Sequence, residues 1–133
     1  MASLFALTAE AKTALGGSEA EIAEFPFRVG RESRLGEPAK SAFSEKRKPT
    51  NRPNNDLYLI DEGEVIYVSR EHFQIAREDG GFVLEDRRST LGTIVEGQTV
   101  GGDNQGGRAA LRDGDVIIVG ESGSPYVFKF RPR

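Results

Sequence analysis

The sequence predicts an all-β fold, a β-sandwich of short strands, on three observations. Sixteen Gly and six Pro among 133 residues scatter turn formers along the chain, which suits short strands joined by loops better than long helices. Apolar runs of strand length, rich in β-branched and aromatic residues, recur at short intervals, and clusters of Gly, Asp and Asn separate them. The length lies within the range of one domain, and a hydrophobic fraction of 37% supplies one apolar core. A single domain over residues 1–133 is therefore expected.

The elements follow in order. Ser3 to Ala11 alternates imperfectly and reads as a strand or the start of a helix; the strand is favoured because Gly16-Gly17 stops it early. Ala20 to Glu24 leads into Phe25, Phe27 and Val29, which alternate with Pro26 and Arg28 before Gly30, the pattern of a strand running into a loop. Residues 33–54 lack periodicity and contain Pro38, Pro49 and Pro53, so they read as a long loop insertion. Six basic residues (Arg34, Lys40, Lys46, Arg47, Lys48, Arg52) against Glu37 and Glu45 give this loop a net charge of +4, which leaves −7 elsewhere to reach the total of −3. Apolar runs then start at Leu57, Val65, His72, Phe82, Thr93, Asp115 and Tyr126. Turns at Asp61-Glu62-Gly63, Asp79-Gly80-Gly81, Gly101-Gly102-Asp103-Asn104 and Asp113-Gly114 divide them.

Composition narrows the function classes. With no cysteine and one histidine, thiol chemistry is excluded, and neither a metal site nor a cofactor is expected. No apolar stretch approaches the roughly 20 residues that cross a bilayer, and no charged segment followed by an apolar one opens the chain; no membrane partner and a cytoplasmic location are the expectations. The overall negative charge argues against nucleic acid as a partner, because counterion release needs a basic surface. No glycine-rich loop ending in Lys-Ser/Thr and no nucleophile elbow is present, so no enzyme is expected.

Three short groups at strand ends carry the chemistry: Gly30-Arg31, Ser69-Arg70-Glu71-His72, and Ser89-Thr90-Leu91-Gly92-Thr93. Converging at one end of a sandwich, they supply what a phosphate dianion needs. A guanidinium binds its oxygens as a fork, and hydroxyls or backbone amides complete the shell. Taken alone, Arg31 would read as a solvated charge at a strand end.

In order and spacing these groups resemble a forkhead-associated (FHA) domain across nearly the whole chain. Gly30-Arg31 matches the family's Gly-Arg; Ser69, Arg70 and His72 its Ser-Arg-x-His; Asp86, Ser89, Gly92 and Thr93 its Asp-x-x-Ser-x-Asn-Gly-Thr. Leu111, Gly114, Asp115, Ile117 and Gly120 fit its later Leu-x-x-Gly-Asp-x-Ile-x-x-Gly. The resemblance implies two sheets of about eleven short, mainly antiparallel strands, as in FHA and SMAD-like folds. It implies a phosphothreonine-dependent interaction module of serine/threonine kinase signalling, not an enzyme. Its partner would be a phosphothreonine-containing protein or peptide, such as a kinase or its substrate.

By the same resemblance, Arg31 and Ser69 bind the phosphate, and Arg70, Thr90 and Leu91 border the phosphopeptide. Gly30, His72 and Gly92 support the site. His72 buttresses the loops from behind, and Gly92 allows a backbone approach that a side chain would block. Thr90 reads equally as a turn residue that caps its loop. Two positions depart from the family pattern. Leu91 stands where the family has asparagine, and a leucine side chain can neither donate nor accept a hydrogen bond, a loss that weakens binding by up to roughly tenfold. Glu96 stands where a second asparagine is common and alters a turn. Leu91 leaves an alternative open, a degenerate FHA domain that mediates phosphate-independent docking or self-association. The basic loop reads either as a solvated insertion or as a segment that steers an anion toward Arg31. Arg87 and Arg88 add positive charge beside the third group.

Overall fold

Alternation along a strand decides which side chains enter the core, and most clearly the strands at Phe73, Val116 and Val127 follow it. The computed structural model describes residues 2–32, 54–61 and 65–132; the predicted basic loop, apart from Asn54, and most of the Asp61-Glu62-Gly63 turn lie outside the described residues. The elements are β1 (Ala2–Ala6), α1 (Ala9–Leu15), β2 (Glu19–Ile22), β3 (Phe27–Arg31), β4 (Leu57–Leu59), β5 (Phe73–Glu78), β6 (Gly81–Asp86), β7 (Thr93–Val95), β8 (Gln98–Val100), β9 (Gly107–Leu111), β10 (Val116–Val119) and β11 (Val127–Pro132). A six-stranded sheet runs β2-β1-β11-β10-β7-β8, and a five-stranded sheet runs β4-β3-β5-β6-β9. All pairings are antiparallel except β3 with β4. The expected two-sheet sandwich of about eleven strands is what forms.

The core lies between the sheets. Leu4, Ile117, Val119, Phe128 and Phe130 come from the first, and Val29, Phe73, Ile75 and Leu84 from the second, all fully buried. Each alternates with a more exposed neighbour, as a half-buried pleated strand requires. The Phe82 and Phe130 rings meet edge to face at 5.2 Å across this interior.

Two expectations are corrected. The strand read over Ser3 to Ala11 ends at Ala6, and Ala9 to Ala11 open helix α1. Thr8 takes an extended backbone and its hydroxyl accepts from Ala11 N, an N-cap; Gly16, in the left-handed region at φ 78, closes the helix. The glycine pair thus terminates a helix rather than a strand. The run Val65 to Val68 is not a strand either. The Asp61 carboxylate accepts from both Tyr67 N (2.7 Å) and Val68 N (2.8 Å), so a side chain takes the donors that a ladder would have used. Glu96 occupies a two-residue hairpin turn with Gly97, at φ 49 and 83, and its carboxylate accepts from Val116 N at 2.8 Å. No described helix is long and apolar enough to cross a membrane.

Candidate phosphate-binding site

The three sequence groups converge at one end of the sandwich. Arg31 closes β3, Ser69 to His72 lead into β5, and Ser89 to Gly92 connect β6 to β7. Arg31 N donates to the Ser69 carbonyl at 2.9 Å, so the guanidinium and the hydroxyl start from adjacent points of two chain segments. Ser69 Oγ accepts from Thr90 N at 3.0 Å, which leaves its hydroxyl proton available to a ligand. Arg31, Ser69, Arg70, Thr90 and Leu91 all line one open cavity of about 850 Å³.

Behind that wall, His72 is buried and joins two of the loops. Its Nδ1 accepts from Ser69 N at 2.9 Å, and its Nε2 faces the Gly92 carbonyl at 2.7 Å. An acceptor at one nitrogen and a donor at the other define the neutral tautomer. Burial pushes the His72 pKa below its ordinary value, against the opposing pull of the Gly92 carbonyl.

The β6–β7 turn is built on Asp86. One carboxylate oxygen accepts from Ser89 N at 2.9 Å; the other accepts from Ser89 Oγ at 2.6 Å and from Thr93 Oγ1 at 3.2 Å. Ser89 Oγ accepts in turn from Gly92 N at 2.9 Å. Ser89 and Thr93 are therefore internal braces, fully buried, and Thr90 and Leu91 are the residues that this brace turns toward the cavity. Gly92 sits at φ 85, with Val100 and Gly101 carbonyl oxygens 3.2 Å from where a Cβ would stand.

Gly30 has the tightest requirement. A Cβ there would lie 2.0 Å from the Arg70 carbonyl oxygen and 2.6 Å from Asn55 Nδ2. Asn55 Nδ2 donates to that same carbonyl at 2.8 Å, and Asn55 Oδ1 accepts from Arg87 at 2.6 Å. Arg87 also donates to the Asn54 carbonyl at 3.0 Å and has Glu71 at 3.8 Å. Burial lowers the Arg87 pKa while Glu71 opposes the shift. Arg87 is thus a strut that holds Asn55 and the backbone of Arg70. By contrast, none of Arg31, Arg70 and Arg88 pairs with a carboxylate among the described residues. Four arginines and one glutamate line the cavity, a wall suited to an anion.

Sequence reading did not single out Asn55 or Asn104. Asn104, at φ 60, lies in the turn between β8 and β9 and lines the cavity. Asn104 N donates to the Ser89 carbonyl and Asp103 N to the Thr90 carbonyl, at 3.0 and 2.8 Å, which fastens this turn to the β6–β7 loop. The Gly-Gly-Asp-Asn run announced a turn; nothing in the sequence placed it beside Thr90. Among the described residues no group of three His, Cys, Asp or Glu is arranged to hold a metal ion.

Comparison with known proteins agrees with this geometry. The family model of the FHA domain matches residues 27–120. Mycobacterium tuberculosis EmbR, solved in complex with a low affinity phosphopeptide, is similar in structure at a TM-score of 0.59 and 19% identity; the match covers 98% of this chain and 24% of EmbR. The chain thus spans about a quarter of the length of that protein. The FHA domain of CT664 from Chlamydia trachomatis is similar at a TM-score of 0.62 and 19% identity, over 99% of this chain and 97% of that one. A chain from a structural and functional analysis of phosphothreonine-dependent FHA domain interactions reaches 0.60 and 23%, over 99% and 96% of the two chains. No curated protein matches the sequence significantly. With the family model covering well over half of its length, and the Gly-Arg, Ser-Arg-x-His and Asp-x-x-Ser groups closing around one cavity, this chain belongs to the FHA domain family.

Proposed function

We propose that this chain is a phosphothreonine-dependent protein-interaction module in which Arg31 and Ser69 hold the phosphate. The observation that carries the reading is the meeting of the Arg31 and Ser69 backbones at 2.9 Å, with the Ser69 hydroxyl oriented by Thr90 N on the wall of a cavity whose Arg31, Arg70 and Arg88 pair with no carboxylate among the described residues. A phosphate carries about −1.5 to −2 charges at neutral pH; Arg31 and Arg70 supply charge-assisted donors and Ser69 an oriented hydroxyl. The structural similarity to EmbR, solved with a phosphopeptide, and to a chain from a study of phosphothreonine-dependent FHA domain interactions supports the ligand class. Leu91 offers an apolar surface against the threonine methyl. The partner is a protein phosphorylated on threonine, a serine/threonine kinase or its substrate, met in the cytoplasm. No bond is made or broken.

The test is a phosphopeptide array, read with the wild type and with Arg31→Ala. Wild type is expected to retain phosphorylated peptides and ignore their unphosphorylated counterparts. Arg31→Ala should weaken binding by tenfold or more, the range for a hydrogen bond to a charged group. Equal binding of both peptide forms, undiminished in Arg31→Ala, would instead identify a phosphate-independent docking module, the alternative that Leu91 leaves open.

A further inference from the structure

We propose that Asn104 is a further peptide-binding residue of this site, donating a hydrogen bond from its side-chain amide to a main-chain carbonyl of the bound phosphopeptide. The inference rests on the phosphothreonine reading above and deepens it. A peptide laid across the cavity presents carbonyls at every residue, and the arginines of the wall are matched to its phosphate. A side-chain carboxamide on the same wall is a neutral donor suited to those carbonyls. Leu91, which faces the cavity, has no polar side-chain atom. Thr90 Oγ1 points its proton to Asn104 Oδ1 at 3.4 Å, and the Thr90 amide is already given to Ser69 Oγ.

Asn104 has the missing donor in a fixed place. Two backbone hydrogen bonds fasten its turn to the Ser89 and Thr90 carbonyls, so it moves with the loop that carries the proposed site. Contact with Thr90 Oγ1 engages its Oδ1 and orients Nδ2 as the outward donor. The side chain is exposed on the cavity wall, and no acceptor among the described residues takes its amide. The other carboxamide on that wall, Asn54, also has its Oδ1 engaged, by the Tyr58 hydroxyl at 2.9 Å, but among the described residues its backbone makes no hydrogen bond to Ser89 or Thr90.

A purely conformational role is the competing explanation, since asparagine tolerates the left-handed φ of 60. Asn104→Gly separates the two, because glycine keeps that backbone conformation and deletes only the amide. Binding of a phosphothreonine peptide set with varied flanking residues is measured by titration for wild type, Asn104→Gly, Leu91→Asn and the double variant, with Arg31→Ala as control. Asn104→Gly is expected to weaken binding about three- to tenfold, the effect of one neutral hydrogen bond, and by the same factor for every flanking sequence, because the carbonyl is common to all. Leu91→Asn removes the same apolar contact from both backgrounds but sets a new amide beside the lost one, so the loss caused by Asn104→Gly should shrink to within about twofold when Leu91→Asn is already present. Binding by Asn104→Gly within twofold of wild type, a loss confined to particular flanking residues, or an equal effect of Leu91→Asn in both backgrounds each overturns the assignment while Arg31→Ala binds tenfold or more weakly than wild type. Failure of wild type to distinguish phosphorylated from unphosphorylated peptide overturns the phosphothreonine reading itself.

Discussion

His72 ties two loops together with both ring nitrogens occupied, and it is the only histidine in the chain. Protonation would place an N–H at Nδ1 against the Ser69 N–H that it now accepts from. Because burial lowers its folded pKa, the neutral form stabilises the fold, and the sign follows. The contribution is complete above the unfolded value of about 6.5 and is lost as pH falls below it, by about 1.4 kcal/mol per pH unit until the folded pKa is reached. Denaturant midpoints between pH 7.5 and 5.5 should therefore fall in the wild type and stay flat in His72→Gln over that interval. Parallel profiles would remove His72 as the cause. Stability is the proper readout, since a phosphate ligand titrates in the same window. Gly30→Ala offers a second test at this scale. The added Cβ meets backbone at 2.0 Å, so a loss of about 1–3 kcal/mol in unfolding free energy is expected, together with displacement of Arg70. Individual residues were legible where chemistry and spacing coincide: Arg31, Ser69, Arg70, Thr90 and Leu91 meet at one cavity. Asn55 and Asn104 were not, because their contacts span 15 residues to Arg70 and 14 to Thr90, and no local pattern encodes such partners.

At the scale of elements, the β6–β7 turn depends on Asp86 far more than on its own turn residues. Asp86 is 6% exposed and accepts three hydrogen bonds from Ser89 and Thr93. Asp86→Ala leaves the buried Ser89 amide and two hydroxyls without their acceptor, and each orphaned group costs about 1–3 kcal/mol. Chemical denaturation should show a loss of about 3 kcal/mol or more, whereas an effect under about 1 kcal/mol would mean that the turn holds without this brace. Which strands were legible follows from the same physics. Runs such as Val116–Val119 and Val127–Phe130 declare themselves by β-branched and aromatic residues that face a core. β8, with three residues, and β9, which reads Gly-Arg-Ala-Ala-Leu, have little intrinsic strand preference; pairing of β9 with Phe82 to Asp86 of β6 creates it. Helix α1 was the less favoured of two readings because seven residues give too short a period to separate from a strand, and its Thr8 cap was the signal that would have decided it.

The whole molecule poses an electrostatic problem for the function proposed. A chain of net charge −3 repels a dianion at long range, so attraction has to come from where the positive charge is concentrated. The arginines of the cavity wall act at contact. The six basic residues between positions 33 and 54 follow Arg31 directly in sequence and oppose the −7 carried by the rest. At about 0.01 M salt the Debye length is about 30 Å, comparable with the molecule, and at 1 M it shrinks to about 3 Å. A field from these residues therefore affects encounter at low salt and vanishes at high salt. Replacing Arg34, Lys40, Lys46, Arg47, Lys48 and Arg52 with glutamine should slow association of a phosphothreonine peptide severalfold at low ionic strength, leave dissociation unchanged, and bring both proteins to one association rate near 1 M. Stopped-flow kinetics across a salt series measures this. If association of the two proteins stays equal at every salt concentration, the segment has no steering role, and the fork of Arg31 with the arginines beside it attracts the ligand without help from the residues that follow.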